Sequence, residues 1–254
     1  MKKVFCVLAA ALLITGIMAA CSEQDGSTPA SVKKAGELVI ATSPDYPPFE
    51  YIAGSDIVGI DMDIAKAIAD DLGVKLRIDA MDFDGVLASI ATGKCDLGIS
   101  ALSVRPDRLE SMDFSDTYFD STVKILVPVD SGVASSADLN GKTVAVQLGT
   151  IAGVVAEELG ATVVNVKTNS ECILELKAGR VDAVMTDKGP AEVFARNEAG
   201  SIIMLDEDLA SDDIYAIATK KGNTELIEQV NKTIKRLIDE GKIEEFIEKH
   251  KDAE

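Results

Sequence analysis

The chain has no tryptophan, only four tyrosines and seven phenylalanines in 254 residues, and a single histidine, His250. So few aromatics argue against a stacking groove for sugars or bases. A lone histidine four residues from the C-terminus leaves no histidine-based triad, no histidine-rich metal site and no imidazole base for a cleft. Basic residues are also scarce, with 25 Lys and Arg against 43 Asp and Glu for a formal charge of −18. Nucleic-acid binding through phosphate neutralisation needs clustered cations, so no nucleic-acid partner is expected. What is present is a hydrophobic fraction of 47%, enough for a packed core and incompatible with a disordered chain. The length fits one large domain or two small lobes.

The N-terminus reads as a processing segment. Met1-Lys2-Lys3 is a basic start, and the following run from Val4 to Ala20 is uncharged, ending in small residues before Cys21. Ile17-Met18-Ala19-Ala20-Cys21 resembles a lipobox, the bacterial signal whose cysteine is diacylated, with Met18 in place of the usual Leu. Residues 1–20 are then a signal peptide and Cys21 the lipidation site; an uncleaved membrane anchor is the competing reading. Both place the rest of the chain outside the cytoplasmic membrane. Residues 21–36 are polar, small and without periodicity, and are expected to form a flexible tether. Of the remaining cysteines Cys6 lies in the signal, which leaves Cys95 and Cys172 as buried free thiols in different lobes.

From Gly36 onward, β-branched runs alternate with helical patterns, the mark of α/β layers around a parallel sheet. Met62, Ala65, Ile68, Ala69 and Leu72 share one helix face before Gly73. The order strand, helix, strand, helix, strand then recurs. Leu87, Ile90, Gly93, Lys94, Asp96, Ile99 and Ser100 match Ile173, Leu176, Gly179, Arg180, Asp182, Met185 and Thr186 at a constant offset of 86. Such a set marks a duplicated architecture. Apolar runs at Thr122–Val127 and Ile214–Thr219 enter and leave the second unit, and Thr224–Lys251 reads as two amphipathic helices. The expected arrangement is a first lobe of 37–122 with 220–254, a second lobe of 127–214, and hinge strands at 123–126 and 215–219. Two lobes on two crossovers make a cleft that closes on a ligand.

Several strings then resemble one family in order: Ala41–Tyr51 (ATSPDYPPFEY), Gly59–Gly73, Asp82–Arg108, Met112–Phe119 (MDFSDTYF), Val144–Thr150 and Leu176–Asp187 (LKAGRVDAVMTD). They resemble the amino-acid-binding proteins of ABC importers, family 3 of the bacterial solute-binding proteins. The resemblance implies the two-lobed type II periplasmic-binding fold and covers the whole mature chain. It also implies a monomer that captures a free amino acid, a permease as partner, and neither cofactor nor metal.

Residue by residue, the resemblance makes Arg108 the clamp for the ligand carboxylate. Spacing alone leaves a solvated Arg paired with Asp107 or Glu110 as an equal alternative, in the first turn of a helix opened by Pro106, where a cation opposes the dipole. Asp187 is implied as acceptor for the α-ammonium; by itself it also suits a helix cap. Its repeat partner Ala101 would offer a backbone carbonyl to the same group, with Ser103 nearby. Tyr46 and Phe83 resemble the aromatic pair around the ligand side chain, and Thr150 opens a second-lobe helix that can meet a carboxylate. Three positions depart from the pattern. Ile151 replaces a Thr, leaving only its backbone amide; Arg105 stands where a capping Thr is usual; and Ser43 stands where relatives selective for basic amino acids carry an acid. A cationic side chain thereby loses one expected partner.

Two further functions share the fold: an exported dehydratase-like enzyme and a sensing receptor without transport. An enzyme would need a cleft acid or base with a shifted pKa. With no histidine available and the acids placed on ammonium or surface, binding of a polar L-amino acid is the expectation.

Overall fold

The computed structural model describes residues 27–253; the signal peptide, Cys21 and tether residues 21–26 lie outside the described residues. The expectation of a flexible tether reaching Gly36 is corrected for its second half. Helix α1 (Pro29–Ala35) is opened by a Thr28–Ser31 capping box with Pro29 at the first turn, and closed by Gly36 in the left-handed region. Val32, 2% exposed, fixes it to the core. One buried valine with both caps satisfied holds a helix too short to show periodicity.

The first half of the chain then gives β1 (Glu37–Thr42), a small meander of β2 (Asp45–Tyr46), β3 (Glu50–Ala53) and β4 (Asp56–Val58), and α2 (Ile60–Leu72). It continues through β5 (Lys75–Ala80), α3 (Phe83–Thr92), β6 (Leu97–Gly98) and the single turn α4 (Pro106–Leu109). The 17-residue β7 (Met112–Pro128) leads into β8 (Thr143–Gln147), α5 (Ile151–Glu158), β9 (Thr162–Val166), α6 (Asn169–Lys177), β10 (Ala183–Asp187), α7 (Lys188–Asn197) and β11 (Ile202–Met204). The 12-residue β12 (Leu209–Lys220) returns to α8 (Thr224–Asp239) and α9 (Lys242–His250).

The main sheet runs β5-β1-β6-β12-β7-β10-β8-β9. Parallel trios at either end (β5-β1-β6 and β10-β8-β9) flank the antiparallel pair β12–β7, which joins the two lobes. Each lobe has its own core. Leu38, Ile40, Ile64 and Ile68 meet Leu226, Val230 and Ile234 of α8 in the first, while Val144, Val146, Val123 and Ile125 pack with Ala152 and Ala156 of α5 in the second.

The sequence repeat appears as a shared device. Phe83 and Asn169 open α3 and α6 at the repeat spacing. The repeat pair Asp96 and Asp182 each accept a backbone N–H at 2.8 Å, from Val39 of β1 and from Thr143 of β8. Cys95 and Cys172 are buried free thiols, in separate cores.

Gly59 sets the local geometry that the site depends on. Its φ is 135°, and a Cβ there would lie 2.0 Å from the Phe49 carbonyl oxygen. That approach lets Asp61 N–H reach the same oxygen at 2.9 Å, tying α2 to the β2–β3 turn. Gly59→Ala is expected to destabilise the protein by at least about 3 kcal/mol, because backbone strain and a backbone clash add. Urea unfolding measures it; a change below about 1 kcal/mol would remove this constraint.

Candidate functional site

Where the lobes meet, twelve residues enclose a cavity of about 10 Å³, room for roughly one water molecule. All nine residues singled out from the sequence line it. Ser43, Tyr46, Phe83, Ala101, Ser103 and Arg108 come from the first lobe; Thr150, Ile151 and Asp187 come from the second. Glu50, Ser100 and Gln147 complete the wall.

Arg108 is 5% exposed and makes no ion pair among the described residues. Its Nη1 donates to the Ser103 carbonyl at 2.7 Å and its Nη2 to the Gly149 carbonyl of the other lobe at 2.9 Å. Its guanidinium carbon stands 5.5 Å from the centre of the Phe83 ring. The solvated alternative therefore does not hold: Arg105 takes Asp107, at 3.0 Å from Nε. The dipole argument lapses as well, since α4 is one turn long and Arg108 is closer to its end than to its start. Burial, then the neighbouring Arg105 charge, pulls the Arg108 guanidinium down to about 10. It remains a cation at neutral pH, held by neutral dipoles.

Asp187 ends β10 and precedes α7, yet its side chain caps nothing. One carboxylate oxygen, Oδ2, accepts the Tyr215 hydroxyl, while Oδ1 is buried without a partner. Burial, reinforced by the charge of Asp213, pushes this carboxyl up to about 7. Glu50 on β3 has the same character: Oε1 accepts from Ser100 Oγ at 2.7 Å and Oε2 is buried without a partner. Burial and then Asp61 hold Glu50 well above the usual carboxylate range.

Asp61 stands behind the wall. It accepts Ala101 N–H at 2.7 Å and the Tyr118 hydroxyl at 2.8 Å. Ala101 has φ 45°, a left-handed conformation costly for an alanine, and the Asp61 carboxylate holds it there. Burial raises Asp61 to about 6. The Thr150 hydroxyl departs from expectation, donating to the Gln147 carbonyl at 2.8 Å rather than turning into the cavity. Ser103 Oγ likewise donates to Asp213, at 3.2 Å.

The lobes are also clasped around the cavity. Asp45 of the first accepts the Asn169 N–H at 2.7 Å and Gln147 Nε2 at 3.2 Å, and Lys167 pairs with Asp82 at 2.8 Å. Sequence reasoning missed Glu50, Asp61 and Gln147. Glu50 lies inside the ATSPDYPPFEY string, which carries the family resemblance but gives no sign that this acid faces the cleft.

A two-lobed fold with its only clustered, buried and unmatched charges at the lobe junction among the described residues defines a solute-capturing receptor. The profile of the bacterial extracellular solute-binding proteins, family 3, matches residues 38–253, and the chain belongs to that family. It is 34% identical over 254 residues, 98% of each chain, to the arginine-binding extracellular protein ArtP of Bacillus subtilis. It is 29% identical to the L-cystine-binding protein TcyJ of Escherichia coli K12, over 86% of this chain and 84% of that protein. Among solved structures, the amino acid ABC transporter substrate-binding protein AbpA of Streptococcus pneumoniae, bound to L-arginine, superposes with a TM-score of 0.83 at 38% identity, covering 88% of this chain and 98% of that one. The family and fold implied by the sequence are those found.

The raised carboxyl of Asp187 has a consequence for stability. A carboxyl at about 7 when folded, against 3.8 ordinarily, contributes stability that is full below the lower value and lost as pH rises through the higher. The melting temperature of the protein alone should therefore fall between about pH 4 and about pH 7, and Asp187→Asn should flatten part of that fall. Equal slopes in variant and parent would show that Asp187 ionises without strain.

Proposed function

We propose that this protein is the extracytoplasmic binding component of an ABC importer and captures an L-amino acid with a cationic side chain, L-arginine above others. One observation carries the reading: the cavity joins a buried guanidinium without a carboxylate to two buried carboxylate oxygens without partners. A ligand with one negative and two positive groups satisfies all three. Arg108 receives the carboxylate, displacing the Gly149 carbonyl from one arm. Asp187 receives the α-ammonium, aided by the Ala101 carbonyl and Ser103, and Glu50 supplies the acid that Ser43 does not. Tyr46 and Phe83 wall the side chain, and the Ile151 amide at the start of α5 is offered to the carboxylate, the Thr150 N–H being donated to the Gln147 carbonyl. The arginine-binding relatives support the same ligand.

Closure follows from this division, with hinges at 123–126 and 215–219 between a lobe of 37–122 with 220–254 and a lobe of 127–214. The parted lobes admit the ligand, and only the closed form pairs every charge. We read the chain as a binding protein rather than a dehydratase-like enzyme, because each cleft acid with a raised pKa has a ligand cation to receive. The protein acts as a monomer, anchored by lipid at Cys21 and delivering to permease subunits. The sensing role is not favoured by any feature of the site.

Calorimetry with L-arginine tests the reading. Arg108→Ala and Asp187→Ala should each weaken binding at least ~100-fold, about 2.7 kcal/mol, since a buried charge loses its partner. Glu50→Gln should cost L-arginine at least ~10-fold while leaving L-glutamine within about twofold, which isolates the side-chain contact. Binding within about threefold of the parent in all three variants would sink the assignment.

The anchor has its own test. Cys21→Ala removes the only thiol at the lipobox-like site, so the variant should persist as an unlipidated, full-length precursor. Equal incorporation of labelled lipid by variant and parent would refute the lipoprotein reading.

A further inference from the structure

A second cavity, of about 370 Å³, lies between the lobes beside the crossing strand β7 and is separate from the charged cleft. Its size falls in the ~300–1,000 Å³ range of small-molecule sites. Phe49, Ile60, Phe119, Val193 and Ile247 supply apolar walls from both lobes. Lys188 and Arg196 from α7 and Lys251 after α9 stand around them, with Asp120 and Glu192 as the acids. Lys188 pairs only loosely with Glu192, at 3.9 Å, and the Arg196 guanidinium donates one bond, to the Ala253 carbonyl. Lys251 is paired with Glu248, which leaves Lys188 and Arg196 as the cations here without a close carboxylate among the described residues.

We propose that this cavity is a second ligand site, for a small monocarboxylate with an apolar body, and that its occupancy strengthens amino-acid capture in the cleft. The apolar walls take the body, and Lys188 and Arg196 receive the carboxylate, with Lys251 at the rim. Two physical links join the sites. Asp187, a wall of the cleft, is the residue before α7, whose Lys188, Gly189 and Val193 line the second cavity. Tyr215, which donates to Asp187, packs 5.1 Å from Phe49 and 5.7 Å from Phe119, centre to centre. An aromatic partition therefore divides the cavities while touching both. Since the second cavity takes its walls from both lobes in the closed arrangement, a molecule that fits it favours closure. Reciprocity then requires the cleft ligand to tighten the second site equally.

The coupling rests on the cleft reading, but the site itself does not, and the test separates them. The full chain is titrated with 3-phenylpropionate, with 3-phenylpropylamine as the cationic control. Saturable binding of the acid at one site, undisplaced by L-arginine, is expected. The L-arginine dissociation constant should fall about fivefold at saturating acid. Lys188→Glu combined with Lys251→Glu, both at exposed positions, should abolish binding of the acid and leave L-arginine alone within about twofold. The proposal is overturned by no saturation at about 10 mM acid, by equal binding of the amine, by displacement with L-arginine, or by undiminished binding in the double variant. If L-arginine fails to bind while the acid binds as described, the cleft assignment falls and the second site stands.

Discussion

Everything about the cleft follows from three buried ionisable groups that are left without an opposite charge among the described residues. A guanidinium held by carbonyls and two carboxylates with one idle oxygen each are costly in a low-dielectric interior. Natural interiors avoid such groups unless something outside the chain completes them. The raised carboxyl of Asp187 and the lowered guanidinium of Arg108 express that same cost. Selectivity is thus stored as unmet demand: a molecule with complementary charges gains what the folded chain alone has given up.

Much of the architecture could be read from the chain because the repeat and the apolar periodicity are local. The paired α/β units and both C-terminal helices lie where those patterns put them, and the apolar runs at Thr122–Val127 and Ile214–Thr219 fall within β7 and β12. The nine cleft residues came from motif order, and they converge because parallel strands end at the same edge of their sheet. Glu50 was not legible: its role depends on β3 folding under Ser100, a contact between residues fifty positions apart. Asp61 was read as one polar residue of an amphipathic helix, and nothing local shows that a buried N–H and a tyrosine converge on it. Helix α1 was a different kind of miss. Thr28, Pro29 and Gly36 are ordinary start and stop signals, set in a polar, small-residue composition that by itself reads as a tether.

The supporting shell explains why a strained backbone persists. Ala101 sits at positive φ in the cavity wall, and its N–H is fixed by a carboxylate that is itself fixed by Tyr118 from β7. Tyr215 from β12 plays the matching part for Asp187. Each crossing strand therefore contributes one tyrosine to one buried acid. The two crossing strands and the two buried acids are thus joined by direct hydrogen bonds.

The overall charge acts at a different level. An excess of acids raises the local concentration of cationic solutes and their encounter rate, and salt screens that effect. It cannot separate arginine from any other cation, since the field does not read shape. On the proposed assignment, discrimination falls to Glu50 within the aromatic walls, where each mismatch leaves a buried group unpaired. Steering and selection are therefore separable here: surface charge governs how often a cation arrives, and one missing partner inside the closed cleft governs whether it stays.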